Sequence, residues 1–260
     1  DRKDDVQTLA KKITARSNTE LEKVRAIFMW IVSNVEYDVR SYMSGRIPDS
    51  EPMNVARVKS AVCQGYSNLF EALCKAEGIQ AFVVSGFSKG YGFTNRTKLE
   101  NADHAWNVVN ADGKWYVLDA TWASGHLNQR GKYVKSFQEK YFLANPTVFI
   151  TEHLPEDPAW QLLNCPITPS EFLKDTAQVR KIAESKKMCY NYNDTLNQFV
   201  VLDLQMQKVA SAKRMVRFFP ENTYTAAIMI NQVAYENSVI LSNQELPLDE
   251  KMKAARKSQK

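Results

Sequence analysis

The amino-acid sequence predicts an α+β fold in which N-terminal helices pack on an antiparallel sheet and a β-rich, sandwich-like segment follows. Three observations predict the core. Residues 17–20 have the form of a capping box, and Leu21, Val24, Ile27, Phe28 and Ile31 continue at helical spacing. Tyr66, Leu69, Phe70 and Leu73 stand at i, i+3, i+4 and i+7, one stripe of a second helix. Two runs rich in Val, Trp and Tyr, 104–110 and 114–121, flank Asp112-Gly113, a strong hairpin signal.

In chain order, the helix through 21–31 comes first, and the proline-containing, polar stretch 49–55 reads as a loop leading to the second helix. Gly78 supplies the stop of that helix, and 79–85 reads as a buried strand. Between it and the hairpin, residues 89–101 carry Gly90 and Gly92 and form a loop placed to line or cover a cleft. With Asp112 and Gly113 as the two loop residues, His104 faces Thr121, and Asp119 lies two residues away on the same sheet face. Beyond about residue 174 the character changes. Residues 174–187 read as a charged, helical connector, and 199–209 and 224–233 have strand composition and partial alternation, the start of a small β-sandwich. The tail 251–260 holds five basic residues and is expected to be solvated.

Three residues carry candidate chemistry. Cys63 lies within one turn of a helix N-terminus, where unpaired N–H groups and the positive end of the dipole favour a thiolate and an oxyanion. His104 supplies a base, and Asp119 a carboxylate to fix its tautomer. Asp103 is the poorer orienter because successive strand residues point to opposite faces. Gln64 either reaches toward a cleft or pairs locally. His126 and His153 lie outside the spacing of the three and are read as structural. Trp106, Trp115 and Trp122 are read as core packing.

Cys63-Gln64-Gly65-Tyr66, His104-Ala105-Trp106-Asn107 and Leu118-Asp119-Ala120-Thr121-Trp122, in that order, resemble the core of the transglutaminase-like superfamily of thiol enzymes. More narrowly the chain resembles the kyphoscoliosis peptidase and hillarin group, through Val84-Ser85-Gly86-Phe87-Ser88-Lys89-Gly90, Tyr141-Phe142-Leu143, His153-Leu154-Pro155-Glu156-Asp157 and Trp160-Gln161-Leu162-Leu163. The likeness covers roughly residues 17–173. One departure is Ala61-Val62, where many relatives have a glycine two residues before the cysteine. The resemblance implies a papain-like core, with the first helix beside it ending near Tyr37-Asp38, and residues 1–173 as the catalytic domain. It implies that 174–260 is a linker and an immunoglobulin-like segment. Cys63, His104 and Asp119 would be its catalytic triad, acting through an acyl-enzyme on protein amide or peptide bonds, with cytoskeletal proteins as substrates or partners. A non-catalytic scaffold that binds such proteins is the competing class.

The chain of 260 residues has 34 basic and 29 acidic side chains, a net charge of +5, and 44% hydrophobic residues, ordinary for a globular protein. Without a nucleic-acid motif this charge argues for no nucleic-acid partner. No apolar run approaches a membrane span, and no cofactor or metal motif is present. The chain opens at Asp1 and is read as a fragment of a longer protein. Cys63, Cys74, Cys165 and Cys189 show no metal spacing and are expected to be reduced cytoplasmic thiols.

Overall fold

The computed structural model describes residues 5–94 and 96–243, with side chains to residue 239. Asp5 caps α1 (Val6–Thr14) by accepting from the Thr8 N–H. α2 (Glu20–Asn34) starts with a capping box formed by Thr19 and Glu22, two residues later than expected. Two overlapping tetrads fit the same pattern, and the Ser17 N–H is committed to the Thr14 carbonyl, which closes the preceding turn. Val24, Ile27, Phe28 and Ile31 of α2 are fully buried.

β1 (Glu36–Tyr37) leads to α3 (Val39–Ser44), which stops at Gly45 in the left-handed region. The expected loop 49–55 is instead helical at its end. In α4 (Pro52–Val58), Pro52 occupies the first turn and the Glu51 carboxylate accepts from the Met53 and Asn54 N–H groups. β2 (Ser60–Ala61) pairs parallel with β1 and delivers the chain to α5 (Cys63–Ala76).

The main sheet comprises β3 (Gln80–Ser88), β4 (His104–Ala111) and β5 (Lys114–Leu118), joined later by β8 (His153–Pro155), in the spatial order β5-β4-β3-β8 with every pair antiparallel. Ala111 faces Lys114, the hairpin register read from the sequence. Tyr66, Leu69, Phe70 and Leu73 on α5 are fully buried in the main hydrophobic core, which also holds Val84 and Trp106 of the sheet. The strand expected through 121 ends at Leu118 because Asp119 accepts the Trp122 N–H and starts α6 (Ala120–Ser124). β6 (Gly125–Leu127) and β7 (Tyr133–Lys135) form a hairpin, followed by a 3₁₀ turn at Glu139–Tyr141 and α7 (Pro146–Phe149).

Gly86 is where β3, β4 and β8 come closest, paired with His104 on one side and Pro155 on the other. A Cβ there would overlap the Leu154 carbonyl oxygen, lie 2.5 Å from the Trp106 ring and lie 2.8 Å from Pro155 Cα. Gly86→Ala is therefore expected to destabilise the fold by about 1–3 kcal/mol, as overpacking against backbone does. Urea unfolding measures this, and an unchanged midpoint would refute it.

After β8 come a 3₁₀ turn (Pro158–Gln161), α8 (Pro169–Phe172), α9 (Thr176–Ser185), α10 (Tyr192–Val200), α11 (Leu204–Phe218) and α12 (Tyr224–Asn243). The α+β core stands, but the β-rich, immunoglobulin-like segment expected from 174 onward is helical as far as 243. Asp203 caps α11 within the supposed strand 199–209, and Ala226 and Met229, three apart in 224–233, pack with Ala212 and Met215 of α11. The β-branched composition that suggested strands belongs to a helical hairpin. The tail 251–260 lies outside the described residues.

These helices are fastened to the segment after β8. Arg214 donates from Nε and Nη2 to the buried Asp157, which also accepts from the Ser211 hydroxyl, and the Thr225 hydroxyl donates to Glu156. The expectation of four reduced thiols also changes: Cys165 and Cys189 form a disulfide. The Asn164 carbonyl accepts from the N–H groups of both Cys189 and Tyr190, which brings the two Cα atoms to 5.1 Å, an approach no sequence spacing reveals.

Candidate active site

Cys63 is the first residue of α5. Its place is set by the short parallel pair upstream: the Glu36 N–H donates to the Lys59 carbonyl and the Asp38 N–H to the Ala61 carbonyl. The Ala61 methyl group lies over Gly65, where a Cβ would come within 2.7 Å of it, so Gly65 provides the room that Ala61 needs. The N–H groups of Cys63 and Gln64 precede the first intrahelical bonds and are available to an oxyanion. Gln64 does not reach the cleft, because its amide donates to Asn68 on the same helix. Cys63 is half-buried; Cys74, one face and three turns on, is buried, and burial pushes its thiol well above the ordinary range.

His104 and Asp119 are brought together, with Nε2 2.8 Å from Oδ2. They meet across the end of a strand rather than between two strands, since Asp119 caps α6 with its other oxygen. That cap fixes the carboxylate before the imidazole uses it. Asp103 turns away, as strand alternation requires, and its Oδ1 accepts the Ser88 N–H at 2.8 Å.

A third group was missed. His153 Nε2 lies 3.0 Å from the same Asp119 oxygen, and its ring is fully buried between Phe149, stacked at 4.0 Å, and Trp122, at 4.3 Å. The Nδ1 of His153 has no hydrogen-bond partner among the described residues. Both imidazoles therefore present an N–H to one carboxylate oxygen. His104, Asp119 and His153 offer ligand atoms within 4.8 Å of one another, a spacing a metal also uses, but separations of 2.8 and 3.0 Å are those of direct N–H···O bonds.

The electrostatics divide the two histidines. Burial works to lower His104, but the charge and hydrogen bond of Asp119, with a smaller contribution from Cys63, outweigh it and hold the imidazole above its ordinary value. Burial also works against the Asp119 charge, and His104 and His153 together keep that carboxyl well below its usual range. His153 goes the other way: burial pulls it down more than Asp119 lifts it. It is the neutral partner, and His104 is the one that takes up the second proton.

Asn107 couples the two halves of the site. Its side-chain N–H₂ donates to the Ser67 carbonyl of α5 at 3.0 Å and to the Phe82 carbonyl of β3, so the nucleophile helix and the His104 strand share one buried clamp. Beside His104 opens a cleft of about 600 Å³ whose walls include Tyr37, Tyr42, Tyr91, Trp122 and Tyr133. The loop after β3 lines it through Lys89, Tyr91 and Phe93. Trp106 and Trp115 are core residues, but Trp122 is half-buried and forms cleft wall. Burial and the nearby Cys63 raise Tyr37, which therefore stays a neutral phenol.

The chain is similar to known proteins over part of its length. Residues 7–120 match the model of the Transglutaminase-like superfamily. Kyphoscoliosis peptidase of Homo sapiens is 36% identical over 172 residues, covering 65% of this chain and 26% of its own length. Hillarin of Drosophila melanogaster is 31% identical over 178 residues, covering 63% and 21%. The chain thus spans about a quarter of the length of these relatives. A crystal structure of a TGase is 24% identical and overlaps 53% of this chain and 35% of its own, with a TM-score of 0.36. On its sequence, this chain carries a transglutaminase-like domain over residues 7–120.

Proposed function

We propose that the chain is a thiol enzyme that transfers the acyl group of a protein carboxamide or peptide bond through a Cys63–His104–Asp119 triad. The observation that supports it most is the shared carboxylate: Asp119 is fully buried, anchors His104 and leaves Nδ1 of that ring for Cys63. The Cys63 sulfur attacks the carbonyl carbon, and first-turn N–H groups of α5 hold the oxyanion. The C–N bond breaks as the imidazolium gives its proton to the leaving nitrogen, which leaves a thioester. Water or an amine then attacks, passing its proton to His104, and the sulfur departs. Water makes the reaction a hydrolysis; a lysine amine makes it a cross-link.

The wider assignments belong to the same proposal. Residues 1–173 would supply the chemistry and the helices after them would bind a protein partner, with cytoskeletal proteins in the cytoplasm as the class implied by the resemblance. Among the described residues no helix is long and apolar enough to cross a membrane.

Limited alkylation with peptide mapping tests the nucleophile. Cys63 should label at least about a hundredfold faster than the buried Cys74, since it is the thiolate that reacts, and Cys165 and Cys189 should label only after reduction. Faster labelling of Cys74 would refute the assignment. Mass spectrometry of a cell extract after incubation should then show cleaved, deamidated or cross-linked proteins that a Cys63→Ala variant does not make. A reactive Cys63 without any such product would favour the scaffold.

A further inference from the structure

The cleft beside His104 contains a carboxylate that makes no ion pair among the described residues, and we propose that Asp103 with the tyrosines around it is a subsite for a basic side chain, lysine or arginine, of the protein substrate. The proposal rests on the acyl-transfer reading for its position, because Asp103 directly precedes His104 and the bound side chain would lie next to the reacting bond.

Asp103 is held rather than loose. Its N–H donates to the Gly86 carbonyl at 3.0 Å, and its Oδ1 accepts the Ser88 N–H at 2.8 Å, so the backbone of β3 fixes both ends of the residue. Among the described residues it makes no ion pair. His104 makes its hydrogen bond to Asp119, 2.8 Å away, and reaches Asp103 only through its charge. The two lysines on the cleft wall are turned elsewhere. Lys89 donates its ammonium to the Lys174 carbonyl and lies 4.7 Å above the Phe172 ring. Lys140 lies 4.5 Å above the Tyr141 ring and 3.4 Å from Glu152.

What remains facing the cleft from this side is one negative charge among aromatic faces. Tyr37 and Tyr42 stand 5.7 Å apart, and the Tyr42 hydroxyl donates to the Tyr91 carbonyl, which ties the loop after β3 to α3. Ring faces and a carboxylate attract the same class of group, an ammonium or guanidinium on an apolar stem, and they repel a carboxylate. Asp103 is exposed to the cleft, and partial desolvation by the cleft walls still raises it above the ordinary carboxyl value despite its bond from Ser88.

The test uses peptidyl chloromethyl ketones that carry Lys, Arg, Leu or Glu at either of the two positions before the reactive group, with each protein's rate normalised to its own rate with iodoacetamide. The Lys and Arg reagents should alkylate Cys63 about tenfold faster than the Leu reagent, and the Glu reagent should be slowest, the ratio expected for one charge pair assisted by ring faces. Asp103→Asn keeps an acceptor for Ser88 and should bring Lys and Arg down to the Leu rate, while Asp103→Lys should favour Glu. Equal rates for all four reagents, or a preference that survives Asp103→Asn, would overturn the subsite while leaving acyl transfer intact. Failure of iodoacetamide to label Cys63 would overturn acyl transfer and the subsite with it.

Discussion

Asp119→Asn should slow alkylation of Cys63 by about a hundredfold or more at neutral pH, the scale on which removing an orienting carboxylate acts. Asparagine keeps the shape of the site and can still accept the Trp122 N–H that starts α6. It cannot offer a charged oxygen to both His104 and His153. In the native protein the Asp119 charge lifts His104 above its ordinary value of 6.5 against the pull of burial. Without that charge burial is opposed only by the smaller contribution of Cys63, and His104 is expected to become neutral at pH 7.

The sign of the pH dependence follows. A raised imidazole contributes stability that is complete below its unfolded value and lost as pH rises through the folded one. A depressed carboxyl contributes stability that is present above its unfolded value and lost as acid protonates it. The native protein should therefore lose stability at both extremes of pH, and the variant should lack the share of both limbs that this pair contributes. Its alkylation profile should gain an inflection at or below the ordinary histidine range that the native protein lacks. A rate within a factor of two of native would remove Asp119 from the mechanism.

Arg214→Ala should cost about 3–5 kcal/mol, because it leaves the buried Asp157 with an unpaired charge. The Ser211 hydroxyl and the Ala159 N–H remain as donors to Asp157, and the Arg214 side chain is one-fifth exposed, so the loss should fall at the lower end. For a chain of this size that corresponds to roughly 6–12 °C in Tm. Adding Asp157→Asn should recover part of it, since the neutral amide costs less to bury than an orphaned carboxylate. Urea and thermal unfolding report both variants, and a loss below about 1 kcal/mol would show that water already reaches Asp157.

What the sequence made legible was local. The stripe of α5, the hairpin turn at Asp112-Gly113 and the alternation that separates Asp103 from Asp119 all depend on neighbours within a few residues. His153 was not legible because β8 has three residues, too few for any periodicity, and its partner Ser88 lies 65 positions earlier. Its one sequence signal was membership in the stretch 153–157, which marked likeness and not role. The helices after 174 were misread because β-branched residues outweighed the i, i+3 spacing of Ala226 and Met229. Local composition competes with the tertiary partner there, and the partner wins.

The stretch from His153 to Asp157 is five residues long and is gripped at both ends, by Asp119 at one and by Arg214 at the other. Extended chain advances only about 3.3 Å per residue and scarcely stretches, so such a segment behaves as a taut cord. Pro155 in its middle removes one of the few torsions available to take up slack. A displacement of α11 by more than the play in a hydrogen bond must break the Asp157 anchor, disturb the pairing of this stretch with β3, or arrive at the imidazole of His153. Helices that hold no member of the proposed triad are thereby linked, through five residues, to the carboxylate at its centre.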